Sequence, residues 1–290
     1  MPIRVLAPNP GQFTLEGTNT WVVGAGPALV IDPGPPDPEH IEAVWGQAGS
    51  IEAILLTHRH PDHAGGAPLL AQRSRAPVLA FRPAPGEKRI RDGQAVEGGG
   101  VRVHGAHTPG HTPDHLCFHD RESGALFTGD AVLGRGTSAI CPPEGDMAAY
   151  MRSLAVMRKL EPTVIYPGHG PAVWSAAQKI EEYIDHRARR ERQVLDGLAG
   201  DPRTPEELVA GIYQAYPREL HAAAAGSVLA HLVKLEREGL VHRVGSPADR
   251  RYSLSSPSAC ARCGRPALPR SALCGRCSVA ALQEHPGPAL

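Results

Sequence analysis

The stretch THRHPDHAGG, residues 57–66, sets His58, His60, Asp62 and His63 within six positions, directly after the apolar run IEAILL. Imidazole nitrogen and carboxylate oxygen are donors that zinc accepts, and a metal held by them can activate water. His58 and His60 are two residues apart, so if the chain stays extended past the strand both rings point the same way. Asp62 and His63 follow where HAGG can begin a helix and reverse the chain, so one short loop can feed two adjacent metal sites. The competing interpretation is a polar loop with surface histidines. Three later features count against it: His111 in HTPGHTPDH, Asp130 in LFTGD and His169 in YPGHG each follow a strand-like segment. Catalytic groups concentrate on loops held by a rigid scaffold. Together these positions supply five His and two Asp, enough for two metals that share an aspartate and keep positions open for water.

The segments that must position these residues are short strands and turns. NTWVVGAGPALVIDPG reads as two strands around a Gly-rich turn, and DPEHIEAVWGQAG as a helix with acidic residues in its first turn. SIEAILLT and VRVHGA have strand patterns, HLCFHDRESGALFTGD reads as a hairpin turning at DRESG, and TVIYPGHG as a strand entering a Gly-rich loop. Strands mixed with helices predict a layered α/β domain with buried sheets. From about Ser175 the chain becomes charged and helical. RTPEELVAGIYQAY opens a new helix with Thr204 as N-cap, Pro205 at the first helical position and Glu207 completing a capping box. In SVLAHLVKLEREG, Val228, Leu232 and Leu235 share a face and Gly239 stops the helix; LVHRVGSPADRRYSL then makes two short strands. Three helices followed by a hairpin form a winged helix-turn-helix pattern. After the linker SSPS, Cys260, Cys263, Cys274 and Cys277 make C-x2-C-x10-C-x2-C. Four thiolates close a tetrahedral zinc shell, so this tail predicts one structural Zn²⁺. Its Arg265, Arg270 and Arg276 are compatible with phosphate contact.

Over all 290 residues, 30 basic and 30 acidic side chains balance, so nucleic-acid binding would need a local patch. Lys234, Arg237, Arg243, Arg250 and Arg251 offer one around the helix end and wing. Glu236 and Glu238 dilute it, and only Tyr252 stands near as an aromatic. The alternative is a packing or dimerisation module. The N-terminus lacks a signal-peptide core, no apolar run reaches membrane-spanning length, and the cysteine pattern is not that of a small secreted disulfide fold. A soluble, cytoplasmic protein with no membrane partner is expected. Eight of the fifteen histidines lie between His58 and His119. Of these, His104, His107 and His119 read as strand or loop residues and His115 as a support for the ligands, a role the Thr112 hydroxyl could share. Arg135, in GRGTS, is either a pocket cation or an exposed one.

The order THxHxDH, TPGHT, TGD, GHG resembles the metallo-β-lactamase fold superfamily in its dinuclear hydrolase branch. APNPGQFTLEGTNTWVVG, THRHPDHAGG, TPGHTPDHLCF, LFTGDAVLGRGT and VIYPGHGP, with the winged-helix region, make residues 1–254 similar to the β-lactamase-like protein 2 family. The resemblance implies an αββα sandwich over 1–198 and a winged helix over 199–255, to which the four-cysteine tail, a zinc ribbon or knuckle over 256–290, is an addition. It also implies two catalytic Zn²⁺: His58, His60 and His111 on the first, Asp62, His63 and His169 on the second, Asp130 bridging. A hydroxide shared by two metals would then attack at neutral pH, with Asp62 orienting it. The resulting expectation is a zinc-dependent hydrolase, an endoribonuclease on single-stranded RNA. The alternatives are a thioesterase of the glyoxalase II or acyl-carrier type acting on a small thioester, and then a non-enzymatic winged-helix regulator. β-Lactam hydrolysis fits less well without a secretory signal. A homo-oligomer is compatible with all of these.

Overall fold

Alternation within each strand decides how the first sheet is used. In the computed structural model, which describes residues 1–214, 218, 221–245 and 250–255, that sheet has six strands. They are β1 (Ile3–Leu6), β2 (Asn19–Val23), β3 (Pro27–Ile31), β4 (Ser50–Leu55), β5 (Val78–Ala80) and β6 (Lys88–Arg89), paired in that order. Trp21, Val23, Leu29, Ile31, Ala53 and Leu55 point to one face; Val22, Ala28, Val30 and Ile54 point to the other. Successive side chains alternate across a strand, so a run without polar residues must be covered on both sides. The outer face is covered by α1 (Pro38–Ala48) and α3 (Ala67–Ser74), whose Ile41, Val44, Ala67 and Leu70 join Val22, Val30 and Ile54 in one cluster. α1 starts where Asp37 accepts from the backbone N–H of Glu39 and His40.

The inner face meets a second sheet. It is built from β7 (Ala95–Gly98), β8 (Val101–His107), β9 (Leu116–Asp120), β10 (Ala125–Gly129) and β11 (Val164–Pro167), in the order β11-β10-β9-β8-β7. Val103, Leu116, Phe118, Phe127 and Tyr166 complete the core between the sheets. Each fully buried side chain of this size is worth about 1.5–3 kcal/mol. Behind the second sheet, Met157 of α4 (Met147–Lys159) meets the Sγ of Cys117 on β9. The Tyr183 hydroxyl of α5 (Ala176–Gly197) accepts from the backbone N–H of Leu133. The expected αββα sandwich is therefore present.

Strand direction places the site. β3 runs parallel to β4, β10 runs parallel to β11, and β8 is antiparallel to β9 as β9 is to β10. The C-terminal ends of β3 and β4 thus lie at one end of the first sheet, and those of β8, β10 and β11 at one end of the second. Asp32, Thr57, Thr108, Asp130 and the His169 loop leave from those ends.

The chain divides into two compact units, Met1–Ala188 and a second beginning at Arg189, with the division inside α5. In the second, Val194 and Leu198 of α5 pack with Leu208 and Val209 of α6 (Pro205–Ile212), Val228, Leu232 and Leu235 of α7 (His221–Arg237), Val241 of β12 (Val241–Val244) and Tyr252 of β13 (Arg251–Leu254). The expected capping box forms, with Thr204 Oγ1 accepting from Glu207 N at 3.2 Å and Glu207 Oε2 accepting from Thr204 N at 3.0 Å. α7 begins at His221, ahead of the SVLAHL segment, because HAAAAG supplies a run of strong helix formers. Glu191 of α5 accepts from Lys234 at 2.8 Å and lies 3.2 Å from His231 Nδ1, tying α7 to α5. Burial raises the Glu191 carboxyl, but hydrogen bonds from His231 and Lys234 outweigh it and hold the group below its ordinary range. Cys260, Cys263, Cys274 and Cys277 lie outside the described residues. Among the described residues no helix is long and apolar enough to cross a membrane.

Candidate metal centre

All seven expected ligands converge. His60 Nδ1 lies 3.0 Å from His58 Nε2 and 3.1 Å from His111 Nε2. His63 Nε2 and His169 Nε2 are 3.2 Å apart, and Asp62 Oδ2 lies 3.5 and 3.3 Å from them. Asp130 stands between the two groups: Oδ1 is 3.3 Å from both His63 Nε2 and His169 Nε2, and Oδ2 is 3.6 Å from His111 Nε2. His58, His60, His111 and Asp130 form one group able to hold a metal ion, and Asp62, His63 and His169 another. The THRHPDH loop splits between them through α2 (Pro61–Ala64). This single turn begins at Pro61, two residues earlier than HAGG suggests, and carries Asp62 and His63 around its axis away from His60. Gly168 makes the close approach possible, since a Cβ there would lie 2.6 Å from His63 Cε1 and 2.8 Å from Asp130 Oδ1.

Each imidazole is held by its second nitrogen. His58 Nδ1 contacts Thr57 Oγ1 at 3.0 Å, His63 Nδ1 contacts Asp32 Oδ2 at 2.8 Å, His111 Nδ1 donates to the Ala139 carbonyl at 2.8 Å, and His169 Nδ1 to the Gly17 carbonyl at 3.2 Å. His60 Nε2 is 3.3 Å from Glu144 Oε2. Such partners fix the tautomer and aim the other nitrogen at a metal. Asp32 is the residue that motif reading missed. It is 1 % exposed and also accepts from Thr57 N at 2.8 Å and Thr57 Oγ1 at 2.6 Å. Asp32 could join His58 and His63 in a third metal-holding group. Its carboxylate is instead fully used by Thr57 and by the His63 nitrogen that faces away from His169, so it holds ligands. The available signal was VIDPG, an ionisable residue closing a run of apolar strand residues.

The electrostatics differ between the halves. Burial, with His63 nearby, keeps His58 neutral well below its ordinary pKa, and burial likewise lowers His111. Burial would also lower His63, but the Asp130 and Asp32 carboxylates outweigh it and raise His63 well above its ordinary value. His169, opposed by burial, is raised to about 9 by Asp130 and Asp62. Asp130, despite burial, is held well below the carboxylate range by His63 and His169. This is a set of anionic and imidazole donors holding protons where cations fit. Tetrahedral donors about 2.0–2.1 Å from zinc are about 3.3 Å apart, which matches the nitrogen and oxygen separations. Asp130 Oδ1 is buried at ion-pair distance from two imidazoles, with no well-directed hydrogen bond to either. The residues fit a pair of metal ions.

The other candidates separate cleanly. His104 and His107 lie in β8 and His119 in β9, away from the ligand groups. His115 is buried and stacks on His58 with ring centroids 5.2 Å apart, its Nδ1 3.0 Å from Thr108 Oγ1. It supports His58 by packing. The buried Thr112 hydroxyl has no hydrogen-bond partner among the described residues, so it does not support a ligand in that way. Arg135 is ion-paired with Glu16.

The comparisons with known proteins agree with this geometry. Residues 13–84 and 78–169 match the Metallo-beta-lactamase superfamily, and residues 204–250 match the Beta-lactamase associated winged helix domain. The chain is 35% identical to a Beta-lactamase-like protein 2 homolog of Drosophila melanogaster, over 88% of this chain and 94% of that one. It is 37% identical to an Atrochrysone carboxyl ACP thioesterase of Aspergillus fumigatus, over 75% of each. A solved metallo-beta-lactamase family protein of Thermus thermophilus shares 25% identity at a TM-score of 0.74, covering 87% of this chain and 98% of that one. The chain belongs to the metallo-β-lactamase superfamily.

Proposed function

We propose that this protein is a dinuclear, zinc-dependent hydrolase whose substrate class is the acyl thioester. The observation that carries the hydrolase reading is the pair of ligand groups joined by Asp130, each imidazole held by a second partner. When bound, two zinc ions supply water of lowered pKa and polarise the oxygen of a scissile carbonyl or phosphoryl group. The chain's own residues do the rest. Thr57, Asp32, Ala139 and Gly17 fix the imidazoles so that little reorganisation is needed during reaction. Asp62, whose side chain is 30 % exposed, is the more open of the two ligand carboxylates, Asp130 being 14 % exposed. We assign it the role of orienting an attacking water.

The thioester preference rests on two observations. One relative named for thioester hydrolysis aligns over three quarters of the chain. In addition, three of the five winged-helix cations that a phosphate backbone would use have acidic partners, Lys234 with Glu191 and Glu238, Arg243 with Glu236, and Arg251 with Glu207, and Arg135 pairs with Glu16. The winged-helix unit keeps single-stranded RNA as the second reading, because such exposed pairs are weak and can open. Parallel assays on acyl thioesters and single-stranded RNA decide between them, with an Asp62→Ala, His63→Ala double variant as control. Thioester turnover that disappears in the double variant and after chelation, and returns with Zn²⁺, is expected. Turnover persisting in verified metal-free protein would end the metal reading. RNA cleavage abolished by the double variant, without thioester turnover in the parent, would move the substrate class to phosphodiesters. The four-cysteine motif adds one structural Zn²⁺, so Cys260→Ser, Cys263→Ser should remove one metal equivalent while sparing hydrolysis.

A further inference from the structure

The two ligand groups are held by different parts of the chain. His63 and His169 are held by Asp32 and Gly17, from the N-terminal segment. Two of the three imidazoles of the other group are held by a single loop, residues 138–146, between β10 and α4. Its Ala139 carbonyl accepts from His111 Nδ1 at 2.8 Å, and its Glu144 Oε2 lies 3.3 Å from His60 Nε2. The loop is well anchored. The Ser138 hydroxyl donates to the Ala131 carbonyl and buried Arg187 donates to the Ser138 carbonyl. Asp146 N donates to the Gly110 carbonyl at 2.9 Å, beside His111, and Asp146 Oδ1 caps α4 through Ala149 N at 2.8 Å. Glu144 is therefore presented from a fixed base, yet its side chain is 64 % exposed and that of His60 35 %. No other ligand histidine has so open a support: Asp32 is 1 % exposed, Thr57 1 % and Gly17 buried.

We propose that Glu144 is a positioning residue for His60 and sets the affinity of the His58–His60–His111 metal site separately from the Asp62–His63–His169 site. The proposal rests on the dinuclear reading. The Glu144 oxygen accepts a hydrogen bond from His60 Nε2–H, which fixes the tautomer and leaves the Nδ1 lone pair facing His58 and His111. Partners of this kind typically change metal affinity 10–100-fold. Because this support stands in water and the Asp32 support does not, the His60 site is the weaker of the two and the first to empty.

The test is titration of the metal-depleted full-length chain with Zn²⁺ against a competing chelator, and with Co²⁺ followed by its ligand-field bands. Nitrogen and oxygen sites are distinguished there from any thiolate site by the absence of sulfur-to-metal charge transfer. The parent should bind two ions at such sites in separate steps. Glu144→Ala should weaken the later step by roughly tenfold or more, leaving the earlier one within about threefold. Glu144→Gln, which keeps an acceptor oxygen, should recover most of the loss. An alanine variant with both steps at parental affinity would overturn the proposal. So would loss of both steps together, or a glutamine variant as weak as alanine. A parent that binds fewer than two ions at nitrogen and oxygen sites would overturn the dinuclear reading itself, and this proposal with it.

Discussion

Replacing Asp32 by asparagine tests whether the ligands are held from behind. The carboxylate takes three donors: Thr57 N on Oδ1, and Thr57 Oγ1 and His63 Nδ1 on Oδ2. An asparagine has one acceptor oxygen, so in either orientation of its amide at least one donor must face an NH2 group. With the NH2 at the Oδ2 position, Thr57 Oγ1 and His63 Nδ1 both lose their acceptor. A hydrogen bond to a charged group contributes about 1.5–3 kcal/mol. Misaligning His63 by losing one such bond corresponds to about 10–100-fold in metal affinity at 1.4 kcal/mol per decade, the range seen for supports of this kind. Because Thr57 Oγ1 also contacts His58 Nδ1 at 3.0 Å, the same substitution reaches the other ligand group. Asp32→Asn should therefore weaken both steps of a zinc titration, with the larger loss at the His63 site. Thr57→Val should weaken chiefly the His58 site. The double variant should lose less than the sum, since the two act through one chain of bonds. Affinities for both ions within about threefold of the parent, in a folded Asp32→Asn protein, would refute the reasoning.

Four further outcomes follow. Metal loading near neutral pH should release about two protons, those held by His63 and His169, and apparent affinity should still be climbing as pH passes through about 9, where metal-free His169 deprotonates; a weakly buffered indicator titration measures this. The raised His169 pKa also stabilises the metal-free fold fully below its ordinary 6.5 and loses that contribution as pH passes through about 9, so the metal-free melting temperature should fall across that interval. Gly168→Ala should abolish tight metal binding while leaving the winged-helix unit folded, because the added methyl overlaps His63 and Asp130; metal analysis after dialysis checks it. In the second unit, the lowered Glu191 pKa gives stability present above the ordinary value of 4.5 and lost as pH falls through the folded value. Glu191→Gln should cost about 1–2 kcal/mol at neutral pH and remove that acid dependence, read as hydrogen exchange in α7.

What was legible in the sequence follows from which physical constraints are local. His58, His60, Asp62 and His63 sit in one loop, and His111, Asp130 and His169 each follow a short apolar strand. Spacing and strand ends sufficed to nominate all of them. The capping box at Thr204 was legible for the same reason, since its two partners are three residues apart. Asp32 was not nominated because its role is set by Thr57 and His63, 25 and 31 residues further on, and appears only once β3 lies beside β4. Glu144 lies 84 residues from His60 and was hidden for the same reason. Arg135 illustrates the limit from the other side. Its place after the Asp130 loop left a pocket cation and an exposed one equally open, and the structure gives an exposed side chain paired with Glu16, 119 residues away. Ligand identity is thus written in short segments, because a metal needs only the right donor at each strand end. Apart from Thr57 beside His58, the supports behind the imidazoles come from distant segments, because the second nitrogen of each ring must find whatever group the fold brings behind it. In this chain the substitutions that retune metal affinity without touching a ligand should therefore lie at Asp32, Thr57 and Glu144; Thr57 stands beside His58 in the motif itself, whereas Asp32 and Glu144 bear no mark of the metal in their own neighbourhood of sequence.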